Sequence, residues 1–530
     1  MTRWLGGLVS LAAAALAQDA VGQGGTVAPT VHYLQLPSDA AGACVRDTWF
    51  GDLNGDGRPD LLVATGACPD DPDPATPPAR TLRVHLRPAS PRARFAAQPD
   101  RELRFAGNVV AFAAADVHPN PGAEIVLFAP SVTAAAFWEG DAAAPTYRKI
   151  GATRLLWQPA SPRVAFAWRR AVHDFDGDGR DDLLVPEPNG YRILLQGAGA
   201  EGATFTRAMQ LVVPPQPVRQ EERALARFGD GNNIEINLTG DDEGDDDAPL
   251  VVVNDRVPAP QVADWDGDGD LDVCALAGDR LLVWQQQPAG EFAPQPTAAH
   301  ELPGRRRTLI NPSYSAQLAD LNGDARADVV LVSSQTMDDE AASIVEVFLG
   351  GDPRGPFAGG QKASDRLRLR GFVSIPSLDD IDGDSRGDLA IGSLRTDVIG
   401  NLRGGGGGQV EAQLNLFRNA FTADGGRFQR PVWLVHKIQI EGVDMEDRAD
   451  VLTRFVHDLD GDGHADLLLR AEREVVQILQ TRPRGRRLTV GNELWQLRVD
   501  KDAKVRVVEA DGVTALLALE SHQIVVAELP

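Results

Sequence analysis

Asp174-Phe175-Asp176-Gly177-Asp178-Gly179-Arg180-Asp181-Asp182-Leu183-Leu184-Val185 is the stretch whose reading decides the fold. Side-chain oxygens fall at positions 1, 3, 5 and 9. A glycine pair lets the backbone bend around them, and an apolar, strand-like run follows at once. Oxygen donors at alternate positions suit Ca²⁺, a hard cation that takes six to eight oxygens at about 2.3–2.6 Å.

The same loop recurs along most of the chain, so the repeat governs the reading of the whole. The first copy is Asp52, Asn54, Asp56 and Asp60. A weaker second copy is Asp116, His118, Asn120 and Glu124. The third is Asp174, Asp176, Asp178 and Asp182, and the fourth is Asp264, Asp266, Asp268 and Asp272. The fifth is Asp320, Asn322, Asp324 and Asp328, and the sixth is Asp380, Asp382, Asp384 and Asp388. The seventh is Asp458, Asp460, Asp462 and Asp466. Successive starts lie 64, 58, 90, 56, 60 and 78 residues apart, so two gaps carry insertions.

An EF-hand requires a bidentate Glu at loop position 12 and flanking helices. Here position 12 is Val63, Leu127, Val185, Ala275, Leu331, Ile391 and Leu469, all apolar. The acid sits at position 9 and a strand follows, which excludes that reading.

The remaining composition agrees with an all-β repeat. Gly (53) and Pro (36) are plentiful, Met (4) and Tyr (4) are scarce, and helical periodicity is nearly absent. Short apolar runs between turn signals read as strands. Met1-Thr2-Arg3, an apolar stretch from Trp4 to Ala17 and Ala15-Leu16-Ala17 read as a secretory signal peptide over 1–17. A flexible leader over 18–30 and a single domain over 31–530 follow. The expected location is therefore outside the cytoplasm, secreted or periplasmic, with no membrane insertion. A net charge of −24 argues against nucleic acid or an anionic membrane as partner, since both attract basic patches.

Each repeat has one internal grammar. A strand leads into the loop (Val109 to Ala115), and a second leaves it (Leu183 to Val185). A third follows a turn (Tyr191 to Leu195). The next turn ends in an aromatic, at Phe95, Tyr147, Phe205, Phe292, Phe357 or Phe428, before a fourth strand (Ala208 to Val213). Four antiparallel strands repeated radially describe the blades of a β-propeller.

The Asp-x-Asp-x-Asp-Gly-x-x-Asp-Leu loops, with a downstream Gly-x-Phe as in Gly426-Arg427-Phe428, resemble the FG-GAP and VCBS repeats. Their best-known members form the propeller head of integrin α-subunits. The resemblance implies several structural Ca²⁺ sites, ligated by side chains at positions 1, 3, 5 and 9 and by the backbone carbonyl at position 7. Position 7 is Arg58, Gly122, Arg180, Asp270, Arg326, Arg386 or His464, a variety that suits a backbone ligand. His118 and Asn120 depart from the pattern.

The tail decides the blade count. Val505 to Leu529 reads strand, turn, strand, turn, strand, with the loop reduced to Asp511-Gly512. This is an eighth blade short of one strand, and Val31 to Leu36 is the spare strand that completes it; seven blades is the alternative.

Other features read as structural. Trp265 invites sugar stacking, but its loop position is apolar in every copy (Leu53, Val117, Phe175, Leu321, Ile381, Leu459), which marks packing. His173 and His457 precede loops without paired metal-ligand spacing. The acidic run 241–247 reads as a solvated loop, Gly404 to Gly408 as a flexible one, and Arg305-Arg306-Arg307 is too short for a nucleic-acid patch. Cys44 and Cys68 are symmetric about Asp56, so they are expected to face each other across the strands flanking the first loop and to bond, leaving Cys274 free and buried.

No catalytic constellation stands out. The expected role is a monomeric binding or adhesion scaffold for an extracellular protein or polysaccharide ligand. The alternative is a polysaccharide lyase or glycosidase with its site in face loops shaped by the insertions Val212 to Gln261 and Gly392 to Gln413.

Overall fold

In a computed structural model the chain forms eight β-blades around one axis, and no described residue is helical. The structure describes residues 29–530 apart from 36–42, 69–79, 91–93, 106–107, 119–120, 141, 143, 157–164, 198–203, 215–223, 229–233, 238–256, 289, 303–312, 338–339, 351–356, 358–361, 371, 374–375, 395–409, 424, 441–452 and 473. The expected signal peptide, the acidic run, the glycine run, the triple arginine and Asn120 lie outside the described residues.

The first blade sets the pattern: Ala43–Gly51, Asp60–Ala67, Thr81–His85 and Arg101–Arg104 pair in that order, all antiparallel. The acidic loop joins the first strand to the second in seven blades. In the eighth, Lys504–Ala510 and Val513–Leu519 meet through Asp511 (φ 50°) and Gly512 (φ 74°), a two-residue hairpin turn with both residues left-handed. Gln523–Leu529 is the third strand there, and Thr30–Gln35 pairs with it from Thr30↔Glu528 to Gln35↔Gln523. The N-terminus thus supplies the outer strand of the last blade, as the spare strand at Val31 to Leu36 implied.

Two blades vary the pattern. The second gains a fifth strand, Phe166–Ala167, parallel to its first strand Ala111–Ala115. In the sixth, the first strand is split into Phe372–Val373 and Ser377–Asp379, both paired with Asp388–Leu394. The longest insertion includes a hairpin, Ala224–Phe228 with Ile234–Asn237.

Why the second strands read as unbroken apolar runs is clear from the core. It is divided into eight clusters, and each lies between two consecutive blades. Side chains alternate across a strand. Leu61 and Val63 therefore face the eighth blade, packed with Ala515, Leu517 and Ile524, while Leu62 and Ala64 face the second, packed with Phe112 and Ile125. A sheet buried on both faces needs apolar residues at every position, which erases the period-2 signal. Loop position 2 extends the same packing: Phe175, Leu321, Ile381 and, partly buried, Trp265 each sit in the cluster shared with the next blade. Trp265 stacks on His300 at 5.6 Å, so the packing reading holds.

The first strands converge on the axis and meet through polar side chains. Asp47, 5% exposed in the first blade, is the hub. Its carboxylate accepts N–H bonds from Thr48 (2.7 Å) and Ala167 (2.8 Å), and pairs with Arg169 (3.0 Å) and with Arg506 of the eighth blade. Burial would raise its pKa, but the two guanidiniums and the Ala167 N–H outweigh that and hold it below the usual carboxylate value. Gln261 likewise bridges to Ala316 O (2.8 Å) and Leu318 N (3.2 Å) in the next blade.

The Cys44–Cys68 disulfide forms, with Cα atoms 4.9 Å apart, and Cys274 is free and buried. The expected face-to-face register is not what brings the pair together. A shift between Val45 and Asp47 sets Cys44 opposite Gly66, and Cys68 closes the bond diagonally from just beyond its strand. One further expectation is corrected. Tyr147 and Phe205 do not end the turn before the fourth strand but lie within that strand, in Thr146–Gly151 and Thr204–Val212, and Tyr147 is 56% exposed.

Because Asp47 ties three chain segments at the axis, Asp47→Ala should cost about 3–5 kcal/mol, as loss of one partner of a buried ion pair does. Urea midpoints of wild type and variant measure this, and a change within experimental error would show that the hub is dispensable.

Candidate metal centres

The loops are built by their own backbone. In all six complete copies the N–H at position 6 donates to the position-1 carboxylate, from Gly57 to Asp52 (2.7 Å), Gly179 to Asp174 (2.9 Å) and Gly463 to Asp458 (2.6 Å), with Gly269, Ala325 and Ser385 alike. Position 6 takes a left-handed φ to make that bond. Gly179 has φ 79°, and Ala325 (φ 65°) and Ser385 (φ 64°) adopt the same conformation without the freedom of glycine.

The acid at position 9 is an anchor as well as a candidate ligand. Asp60, Asp182, Asp272, Asp328, Asp388 and Asp466 are at most 1% exposed. In each, Oδ2 accepts the N–H of loop position 2, from Leu53 (3.0 Å), Phe175 (2.8 Å), Trp265 (2.9 Å), Leu321 (2.9 Å), Ile381 (3.3 Å) and Leu459 (2.9 Å). Oδ1 accepts an N–H from the later part of the third strand or just beyond it, at Arg87, Gln196, Gln286, Gly350, Asn419 and Thr481. Burial pushes their pKa values up, to about 6 for Asp60, Asp182, Asp328 and Asp466 and about 7 for Asp272 and Asp388.

Four loops bring three carboxylates within 4.8 Å: Asp174, Asp176 and Asp182; Asp264, Asp266 and Asp272; Asp380, Asp382 and Asp384; Asp458, Asp460 and Asp466. The position-3 acids are the unsatisfied members. Asp176 Oδ1, Asp266 Oδ1 and Asp382 Oδ1 are buried without a hydrogen bond, while Asp382 Oδ2 pairs with the Arg418 guanidinium. Burial foremost, then neighbouring loop carboxylates, raises the pKa of Asp176, Asp266 and Asp460. A buried carboxylate oxygen with no donor, facing two other carboxylates, is the setting that a hard cation fits.

Position 5 is partly engaged. Arg58, Arg180 and Arg386 at position 7 fold back onto Asp56, Asp178 and Asp384. The first and fifth loops carry Asn54 and Asn322 at position 3, so fewer charges converge there. In the second loop His118 stacks on Phe137 at 4.3 Å, and Glu124, its pKa pushed up to about 8 chiefly by burial, accepts Val117 N–H (3.0 Å). His173 is held by Arg170 O (3.1 Å) and belongs to none of the acidic trios.

Sequence reasoning missed how the loops are joined. Position 8 reaches the preceding blade's loop: Ala123 N–H donates to Asp52 O (3.2 Å), Ala327 to Asp264 O (2.8 Å) and Ala465 to Ile381 O (2.9 Å). In the third loop the Asp181 carboxylate accepts Asp116 N–H (2.6 Å). Small residues at 123, 327 and 465 were the available signal.

These features define a class: a β-propeller whose blades are cornered by acidic, oxygen-rich loops. The sequence model of the FG-GAP-like repeat matches residues 264–331, from the fourth loop into the second strand of the fifth blade, so the β-propeller carries an FG-GAP-like repeat there. Direct sequence comparison with curated proteins gave no match. Among solved structures the chain is similar to an Agrocybe aegerita lectin that recognises non-reducing terminal N-acetylglucosamine, at 14% identity over 89% of this chain and 94% of that one, TM-score 0.35. It is also similar to the WD40 domain of SCAP from fission yeast, at 10% identity over 94% and 98%, TM-score 0.40.

Two predictions follow from the loop geometry. Nothing lies within 4 Å of a Cβ built on Gly179, so Gly179→Ala meets backbone strain alone and should lower stability by about 1 kcal/mol. Ala325→Gly relieves the same strain, against an unfolded-state cost of about 0.4–1 kcal/mol, and should not lower it. A denaturation midpoint that drops for Ala325→Gly would contradict this account. The position-9 pKa values give the second. A raised carboxyl pKa contributes stability that is full below the unfolded value near 4 and is lost as pH rises through 6–7. The metal-free protein should therefore melt at progressively lower temperature from pH 4.5 to 7.5 in EDTA, and Ca²⁺ should remove most of that decline. A flat or rising profile in EDTA would count against it.

Proposed function

We propose that the protein is a calcium-stabilised extracellular binding scaffold, with Ca²⁺ holding the strand-to-strand loops and a ligand engaged by the loops of the propeller face. The observation that carries the metal is the set of orphaned, buried position-3 oxygens at Asp176, Asp266 and Asp382, each in a carboxylate trio. In each complete loop the acids or amides at positions 1, 3, 5 and 9 would hold the ion, with the position-7 carbonyl. The ion would supply charge neutralisation and rigidity. Export, on the reading of Met1 to Ala17, puts the protein where millimolar Ca²⁺ occupies modules with affinities of about 10⁻⁴–10⁻³ M.

A cation bound only by the folded form stabilises it by RT ln(1 + [L]/Kd), about 2.7 kcal/mol per site at a hundredfold excess. EDTA should accordingly lower Tm, Ca²⁺ should restore it, and Asp266→Ala should lose about one site's share. An unchanged Tm on chelation would end the structural-metal reading. A screen of the purified protein against polysaccharides and extracellular proteins, scored for retention and for product release, tests the scaffold role; turnover abolished by EDTA at unchanged Tm would replace it with a metal-dependent enzyme.

A further inference from the structure

The seventh blade departs from its fellows where its third strand turns into its fourth. Val475–Arg484 and Arg487–Arg498 form a tight hairpin through Gly485 (φ 64°) and Arg486. The turn that ends in a buried phenylalanine at Phe292 or Phe428 is here Arg482-Pro483-Arg484-Gly485-Arg486-Arg487. All six residues are exposed, and none of the four guanidiniums has a hydrogen-bond or ion-pair partner among the described residues. Four unpaired arginines within six residues stand on a chain whose net charge is −24.

The hairpin is held in place at its root. Thr481 N–H donates to Asp466 Oδ1 (3.1 Å), its hydroxyl to Ala465 O (2.8 Å), and Gln480 Nε2 to Asp460. The tip thus rises beside the seventh acidic loop. Leu488, 2% exposed, packs in the cluster between the sixth and seventh blades, and its N–H donates to Trp433 O (2.9 Å). Pro483 pairs with Leu488, Arg484 with Arg487, and Arg482 with Thr489. Alternation then places Arg482, Arg484 and Arg487 together on the face opposite Leu488, away from the docked side. Arg484 and Arg487 are directly opposed like charges, which weakens a hairpin in the free protein and which a bound anion would relieve. Strand geometry spaces these three positions about 5–8 Å apart, the scale of one sugar unit or slightly more.

We propose that this arginine hairpin is the docking site for a linear acidic polysaccharide, one bearing carboxylate or sulfate groups along its length. The assignment rests on the extracellular-scaffold reading above and gives its ligand a chemical class. A broad polyanion such as duplex nucleic acid or a flat anionic bilayer would meet the acidic remainder of the molecule as well as the tip, and that net charge repels it. A thin, flexible chain touches the protruding tip alone. Planar guanidiniums match carboxylate and sulfate oxygens in bidentate geometry.

The test measures binding of the full-length protein in Ca²⁺ to oligogalacturonate, dextran sulfate, neutral dextran, a single-stranded oligonucleotide and phosphatidylserine vesicles across a salt series. The variants are Arg482→Ser/Arg484→Ser/Arg486→Ser/Arg487→Ser and the matching fourfold Lys variant, each checked for wild-type Tm. The wild type should bind one or both acidic polysaccharides, more weakly as salt rises, and ignore dextran; which of the two it prefers identifies carboxylate or sulfate. The Ser variant should lose affinity by about tenfold or more and show a flatter salt dependence, while the Lys variant keeps most of the binding. Equal binding by wild type and Ser variant, no binding of either acidic polysaccharide, or tighter binding of the oligonucleotide or vesicles overturns the proposal. Those failures leave the scaffold reading standing if Ca²⁺ still raises Tm and another extracellular ligand is retained, so the two can fail separately.

Discussion

The carboxylate at loop position 9 is the constraint on which the rest of each blade depends. It is buried, and both of its oxygens are committed to backbone N–H groups: one fixes the start of the loop, the other fixes the end of the third strand or the chain just after it. Three segments of a blade are thereby pinned at one corner by a single side chain. That position carries a cost in the absence of a counter-charge, because burial and the neighbouring loop acids oppose ionisation. The same group that organises the backbone therefore creates the electrostatic demand for a cation beside it. Structural anchoring and that electrostatic demand are two aspects of one placement of charge.

Between blades the architecture depends on apolar packing, repeated eight times and closed on itself. Closure is what makes the ring continuous: Leu34, Phe50 and Leu61 share a cluster with Leu517 and Ile524, so the chain ends hold each other as any two neighbouring blades do. An open ring would leave unpaired strand edges exposed to aggregation. The axis adds directional contacts that packing lacks. Asp47 joins the first and eighth blades to the Ala167–Arg169 segment, and at the face the position-8 N–H groups join one acidic loop to the preceding one. Loop order and blade order are consequently coupled through short hydrogen bonds at both radii.

Charge is distributed unevenly over this frame. Acidic side chains gather at the loops, where arginines at position 7 already engage several of them. The seventh blade does the reverse: its tight hairpin carries arginines with no acidic partner among the described residues while its root is bonded to Asp460 and Asp466. An exposed cationic tip on an acidic body is selective by exclusion, since partners that cannot avoid the body are repelled.

The sequence by itself determined the blade. Loop chemistry, strand order, the degenerate eighth repeat at Asp511-Gly512 and the need for the N-terminal strand were all legible, because each is encoded by residues close in the chain and repeated at a recognisable interval. The apolar identity of Trp265's position was legible for the same reason. Tertiary structure decided what joins segments without a shared period. The offset of Cys44 from Cys68 came in equal parts from the loop register, which sets Gly51 opposite Asp60, and from the shift between Val45 and Asp47, neither of which symmetry about Asp56 reveals. Tyr147 faces solvent because its strand is the outermost of its blade, a position that local pattern does not specify. The hub at Asp47 depends on Ala167, Arg169 and Arg506, 120 to 459 residues away, and the double use of Asp182 depends on a loop and a hairpin that fold Phe175 and Gln196 onto it. Local periodicity fixes which groups a blade presents, and only the closed ring decides which of them meet.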